Sequence, residues 1–147
     1  MIVVEPVAQR RALAAREGAL AAEPAAARAL VDGVTDGRGA DAVVDAVGGT
    51  RGLDAAFALV RRRGTVVSVG VHTEPWTLPA DRAFAGELTL RFAIGDLARD
   101  GDALVALVRS RALDPAVVAS ETVPLDAVPD AYRRMADRRT LKSLIAT

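Results

Sequence analysis

Short, continuous apolar runs alternate along this chain with stretches of helical periodicity, and that alternation is its strongest constraint. Ile2-Val3-Val4, Ala42-Val43-Val44-Asp45-Ala46-Val47 and Thr65-Val66-Val67-Ser68-Val69-Gly70-Val71 are apolar almost throughout, as strands are when helices cover both faces. Between the first two lie a helical stretch over 7–17 stopped by Gly18, a weak strand near 19–21, and a helix from Pro24 to about Val34. Thr35-Asp36-Gly37-Arg38-Gly39 breaks that helix. Before the third run, Leu53, Ala56, Phe57 and Val60 form one helical stripe, with Arg61-Arg62-Arg63-Gly64 expected to close the helix by placing cations at its C-terminal dipole. Strand, helix, strand in this order predicts an α/β fold with a parallel sheet.

Beyond Val71 the pattern changes. Residues 72–82, with Pro75 and Pro79, read as a loop, and Glu87-Leu88-Thr89-Leu90-Arg91-Phe92 alternates strictly, as a strand does with one wet face or at an edge. Residues 102–112 read as a helix and 117–123 as extended chain. Asp126 is expected to cap a helix carrying Val128, Ala131, Tyr132 and Met135, and 141–146 to close as a short strand.

Composition narrows the chemistry. Apolar residues make up 51% of the 147 but aromatics only 3%, so the core must be aliphatic. Nineteen basic and nineteen acidic side chains cancel, so neither nucleic acid nor a membrane is the expected partner. Without cysteine, a disulfide scaffold, a thiolate zinc site and a cysteine nucleophile are excluded, and the single His72 cannot build a histidine metal site. The opening residues have no signal-like character, and a cytoplasmic location is expected.

In doubly wound sheets ligands sit outside the carboxyl ends of the strands. Glu5 ends the first run, and an acid there can accept the ribose hydroxyls of an adenosine and repel a 2′-phosphate. Asp45-Ala46-Val47-Gly48-Gly49 and Val69-Gly70-Val71 end the next two runs, with small residues that let a flat ligand approach the backbone. His72 follows the third run, but the sequence offers it no evident acidic partner. Asp45 reads as a hydrogen-bonded structural acid. Ser68 lacks the G-x-S-x-G setting of a hydrolase nucleophile, and Ala136 stands where a tyrosine–lysine dehydrogenase pair would need lysine after Tyr132. No catalytic residue is assigned.

The order of these segments resembles the C-terminal part of the zinc-type alcohol dehydrogenases, a branch of the medium-chain dehydrogenases/reductases. The carrying segments are Val3-Val4-Glu5-Pro6 with Arg10, residues 37–48, residues 63–71, Glu87-Leu88-Thr89-Leu90-Arg91, and Val123-Pro124-Leu125-Asp126 with Ala131-Tyr132 and Lys142. The resemblance implies a Rossmann-like doubly wound parallel sheet, truncated, because the family's first strand, its glycine-rich turn and its zinc-holding catalytic domain precede the matching segments. Residues 1–147 then form a partial dinucleotide-binding domain, with 117–147 resembling the family's C-terminal return segment.

By the same resemblance, Glu5 binds the adenosine ribose, favouring NAD over NADP, and Arg10 lies near the adenine ribose. Ala46, Val47, Val69, Gly70 and Val71 line the nicotinamide riboside half, and Lys142 reaches the pyrophosphate. Zinc is expected only in the preceding domain. The implied activity is hydride transfer between NAD and a small alcohol or aldehyde, with the chain inactive by itself. The alternatives are a non-catalytic remnant serving as an oligomerisation or regulatory domain, and, disfavoured by the segment order after residue 37, another Rossmann-like enzyme such as a methyltransferase. With the middle strand of the usual 3-2-1-4-5-6 order absent, 2–4 and 42–47 are expected to pair directly or to leave a loosened N-terminal third. A homodimer through the edge strand 87–92 is also expected.

Overall fold

The computed structural model describes residues 1–146 and divides into two compact units, Met1–Ile94 and the residues from Gly95 onward. In the first, strand β1 (Ile2–Val4) leads through helix α1 (Ala8–Arg16) to β2 (Leu20–Ala22). The two strands pair in parallel, with Ile2 opposite Leu20 and Val4 opposite Ala22. Gly18, at φ 84°, takes the left-handed conformation that ends α1. Pro24 opens a short 3₁₀ turn into α2 (Ala27–Thr35).

A second parallel sheet has the order β3 (Ala40–Asp45), β4 (Val60–Ser68), β5 (Thr89–Phe92). Helix α3 (Gly49–Leu59) connects β3 to β4, and α4 (Ala80–Gly86) precedes β5. All four residues of the sequence stripe are buried: Leu53, Ala56 and Phe57 on α3 and Val60 at the start of β4 pack with Val66, which has no exposed surface. Trp76 lies against Phe57 with ring centroids 5.2 Å apart. Burial of one such aliphatic or aromatic side chain contributes about 1.5–3 kcal/mol, and this cluster is the largest in the unit.

Helix α2 joins the two sheets of this unit. Its Ala27 and Val31 pack with Leu59, and against them lie Ile2 from β1 and both Ala40 and Val43 from β3. The expected direct pairing of β1 with β3 does not occur. β1 has satisfied one edge on β2, and what it shares with β3 is a helix rather than a ladder. Glu5 N–H donates to Ala22 O and Leu20 N–H to Met1 O, so by the alternation of a parallel ladder Ile2 and Val4 turn their backbone groups away from β2. On β3, Asp45 O accepts from Val69, so Ala42 and Val44 turn theirs away from β4.

Three further expectations are corrected here. The arginines Arg61, Arg62 and Arg63 do not close α3, which ends at Leu59; they lie inside β4, where the register jumps from Ala40↔Val60 to Ala42↔Thr65. Arg61 reaches Asp41 at 2.6 Å, and Arg62 and Arg63 both reach Glu87, holding its carboxyl below the usual range. The free carbonyls at the end of α3 are instead taken by arginines from other elements: Arg82 Nε donates to Phe57 O at 2.6 Å and Arg28 to Ala58 O at 2.9 Å. The loop expected over 72–82 also gives way to α4 from Ala80, and the strand expected from Glu87 begins at Thr89 because Glu87 takes a left-handed φ of 50°.

The second unit carries α5 (Leu97–Arg109), β6 (Ala119–Pro124), α6 (Val128–Ala136) and β7 (Lys142–Ala146). Asp96 caps α5 by accepting from Ala98 and Arg99. The expected cap at Asp126 is not made: that residue lies within a 3₁₀ turn, Leu125–Ala127, that winds directly into α6. β6 and β7 pair in parallel, and Glu121 on β6 accepts from Ser143 on β7 and from Arg134 on α6, which together lower its carboxyl pKa. Among the described residues, no helix is long and apolar enough to cross a membrane.

Candidate functional site

Two turns leave the carboxyl ends of β3 and β4, and glycine brings them into backbone contact. A Cβ built on Gly70 would stand 2.5 Å from Gly48 Cα; one on Gly48 would stand 2.8 Å from Val71 N, and Gly48 itself sits at φ 81°. No side chain fits between the two turns, so only glycine serves at either position. Asp45 O fixes the approach by accepting from Val69 N–H at 2.8 Å and Gly70 N–H at 3.1 Å.

Beneath the turns is a buried polar knot. The Asp45 carboxylate, fully enclosed, accepts from Val47 and Gly48 N–H through Oδ1, at 3.0 and 2.9 Å, and from Ser68 Oγ through Oδ2 at 2.7 Å. Burial pushes its pKa up, but the bonds from Gly48, Ser68 and Val47 and the nearby His72 outweigh that and hold it below the ordinary value of 3.8. Gly52, one turn into α3, makes room: a Cβ there would stand 2.9 Å from Asp45 Cγ. Asp45 is thus the structural acid expected of it.

His72 is better connected than its sequence neighbours suggest. Its Nε2 lies 2.6 Å from Ser68 Oγ and 3.6 Å from Asp45 Oδ2, and its Nδ1 accepts from Gly49 N–H at 3.1 Å. The partner lies 27 residues back along the chain, where only strand pairing of β3 with β4 could reveal it. The ring also meets Phe92, at the end of β5, edge-on at 5.7 Å.

The structure brings five of the residues read from the sequence into these turns: Ala46 and Val47 in one, Val69, Gly70 and Val71 in the other. Val47 is 81% and Val71 78% exposed, so the turns present bare apolar surface on a rigid backbone. Glu5 and Arg10 belong to the other sheet of the same unit. Glu5 ends β1, where its Oε1 accepts Val7 N–H at 2.8 Å and its main-chain O accepts from Arg11; Arg10 is half-buried on the first turn of α1. Lys142 is exposed at the start of β7, in the second unit.

A family model described as zinc-binding dehydrogenase matches residues 20–141. A probable zinc-binding alcohol dehydrogenase of Mycobacterium tuberculosis is 35% identical over 110 residues, 74% of this chain and 29% of that protein. Among solved structures, an alcohol dehydrogenase from Thermus sp. ATN1 superposes with a TM-score of 0.94 at 29% identity, over 99% of this chain and 43% of its own length. A Sinorhizobium meliloti 1021 protein, named as a zinc-binding dehydrogenase and bound to NADP, gives 0.87 at 24% identity, over 99% of this chain and 44% of its own. The chain therefore spans less than half the length of each of these proteins.

Proposed function

The chain belongs to the zinc-binding dehydrogenase family, and from that premise we propose that it forms the greater part of the NAD-binding region of an alcohol dehydrogenase, whose reaction moves a hydride between NAD and a small alcohol or aldehyde. The observation that carries this reading is the pair of stacked turns. Val47, Val69 and Val71 stand out from backbone that Gly48 and Gly70 have brought together, at the strand ends where doubly wound sheets take their ligands. A planar, weakly polar ring laid on these valines buries apolar area from both sides, at about 25 cal/mol per Å².

Bound NAD supplies the hydride acceptor; this chain's residues bind and orient it. The turns offer the flat wall for the nicotinamide end. Glu5 has one carboxylate oxygen committed to Val7 N–H and keeps Oε2 for a ribose hydroxyl, which favours NAD over NADP by repelling a 2′-phosphate. Arg10 is the cation assigned to the ribose. The residues present do not fit zinc: the chain has no cysteine, and among the described residues no three His, Asp or Glu side chains gather as ligands. Any zinc is expected in parts of the relatives outside the matched region, and no step runs through it here.

The sequence also holds no G-x-G-x-x-G turn, the element that brings backbone N–H groups to a pyrophosphate. The chain by itself is therefore expected to bind NAD more weakly than micromolar and to oxidise no alcohol. Calorimetric titration is the test, and micromolar or tighter affinity contradicts the reading. Glu5→Ala should reduce the preference for NAD over NADP; an unchanged ratio removes Glu5 from the site.

A second reading, self-association through β5, is favoured by one observation. Among the described residues β5 is paired on one side only, and Phe92 at its end is 65% exposed. Such an edge can template a second copy, and this role is compatible with cofactor binding or can replace it.

A further inference from the structure

We propose that His72 is a positioning residue that locks the β3–α3 turn onto the exit of β4, and so sets the wall that receives the nicotinamide ring. The inference rests on the cofactor reading above for the identity of the ligand, but the lock itself follows from hydrogen-bond direction.

Gly49 N–H can only donate, so His72 Nδ1, 3.1 Å away, must accept and carries no proton. The ring proton of the neutral imidazole therefore sits on Nε2, where it is donated to Ser68 Oγ at 2.6 Å. Ser68 then has its own hydroxyl proton free for Asp45 Oδ2 at 2.7 Å. The chain of donation runs one way, from Gly49 through His72 and Ser68 to Asp45, and Asp45 Oδ1 returns to the starting turn by accepting from Val47 and Gly48. Every donor and acceptor in the loop is used. The order is the reverse of a nucleophile–base pair: Ser68 gives its proton to the carboxylate, and the imidazole offers it no lone pair.

Three features make the lock matter for a ligand. Gly48 and Gly70 leave no slack between the turns, so a small displacement of either one alters the spacing directly. Val47, Val69 and Val71 are exposed, so side-chain burial does little to hold the turns in place. The ring's edge contact with Phe92 extends the same restraint to the end of β5, so one side chain touches the exits of all three strands.

His72 is the single histidine, so its imidazole gives one set of nitrogen resonances in the full chain. The expected spectrum is that of the Nε2–H tautomer; an Nδ1–H spectrum overturns the proposal. Replacing the ring by His72→Phe should raise the exchange rate of the Gly49 amide about tenfold, the loss of roughly one net hydrogen bond. It should also reduce about tenfold the initial slope of the Val47, Gly70 and Val71 amide shifts against NADH concentration. His72→Asn, whose Oδ1 can still accept from Gly49, should restore most of both. If His72→Phe does not fold, Ser68→Ala provides the second variant: Gly49 still donates to Nδ1, so the Nε2–H tautomer should persist, while loss of the Nε2 partner should raise the Gly49 exchange rate. Gly49 exchange unchanged in both His72→Phe and Ser68→Ala, or an Nδ1–H tautomer in Ser68→Ala, overturns the lock. A freed Gly49 with an undiminished NADH response overturns its role in positioning. Failure of the wild-type chain to respond to NADH at all, with tautomer and exchange as expected, falls on the cofactor reading instead.

Discussion

Gly48 and Gly70 are the residues on which the site depends most directly. Alanine at Gly48 meets both a φ of 81° and the Val71 backbone, and alanine at Gly70 meets the Gly48 backbone. Each should lower stability by about 3 kcal/mol, read from the midpoint of urea unfolding. Gly33 on α2 and Gly101 on α5 have helical neighbours and nothing within 4 Å of a built Cβ, so Gly33→Ala and Gly101→Ala should each raise stability by about 0.5–1 kcal/mol. Equal effects at the four positions would contradict the stacked turns. Asp45 gives a pH signature. Its folded pKa lies below 3.8, so the unfolded chain takes up the proton first as pH falls. Its contribution is complete above the unfolded value and is lost as pH drops through the folded one. The stability gap between wild type and Asp45→Asn should therefore shrink as pH falls below about 4; a gap that widens below that pH has the wrong sign. At this scale the sequence was informative about backbone and silent about contacts. The small residues at 46–49 and 69–71 could be picked out because glycine after an apolar run has few other uses. His72 could not be paired, because its acid lies on another strand.

At the scale of elements, periodicity was most legible where one face is buried. The stripe Leu53, Ala56, Phe57 and Val60 is buried as expected. At the end of that helix a run of arginines beside a glycine looks like a C-terminal cap, but Arg28 and Arg82 arrive from other elements to take the free carbonyls. The edge at β5 carries a testable consequence. Ala93 N–H donates to Ser68 O, so along β5 the N–H groups of Leu90 and Phe92 point away from β4. Leu90 packs on the core, whereas Phe92 is exposed, which makes Phe92→Pro the cleaner probe. If the chain dimerises through this edge, Phe92→Pro should weaken the dimer at least tenfold in sedimentation equilibrium without removing a β4–β5 bond. A monomer at high micromolar concentration, or a dimer that ignores the substitution, counts against the interface.

For the whole molecule, the parallel α/β character follows from the order of apolar runs and helices, but the division into sheets does not. Nothing in Ile2-Val3-Val4 indicates that it pairs with 20–22 rather than with 42–45, because a three-residue strand carries no register signal of its own. Family membership and the parallel α/β architecture agree with the segment order read from the sequence. The choice between NAD and NADP rests on Glu5 alone, and a relative of similar fold is bound to NADP. Whether the exits of β3 and β4 form the nicotinamide wall is decided by titrating the isotopically labelled chain with NADH and following its backbone amides. Saturable shifts are expected, with a Kd of about 1 mM, largest at Val47, Val69, Gly70 and Val71 and next at Glu5 and Arg10; no saturable shift, or shifts confined to residues beyond Gly95, would rule the wall out.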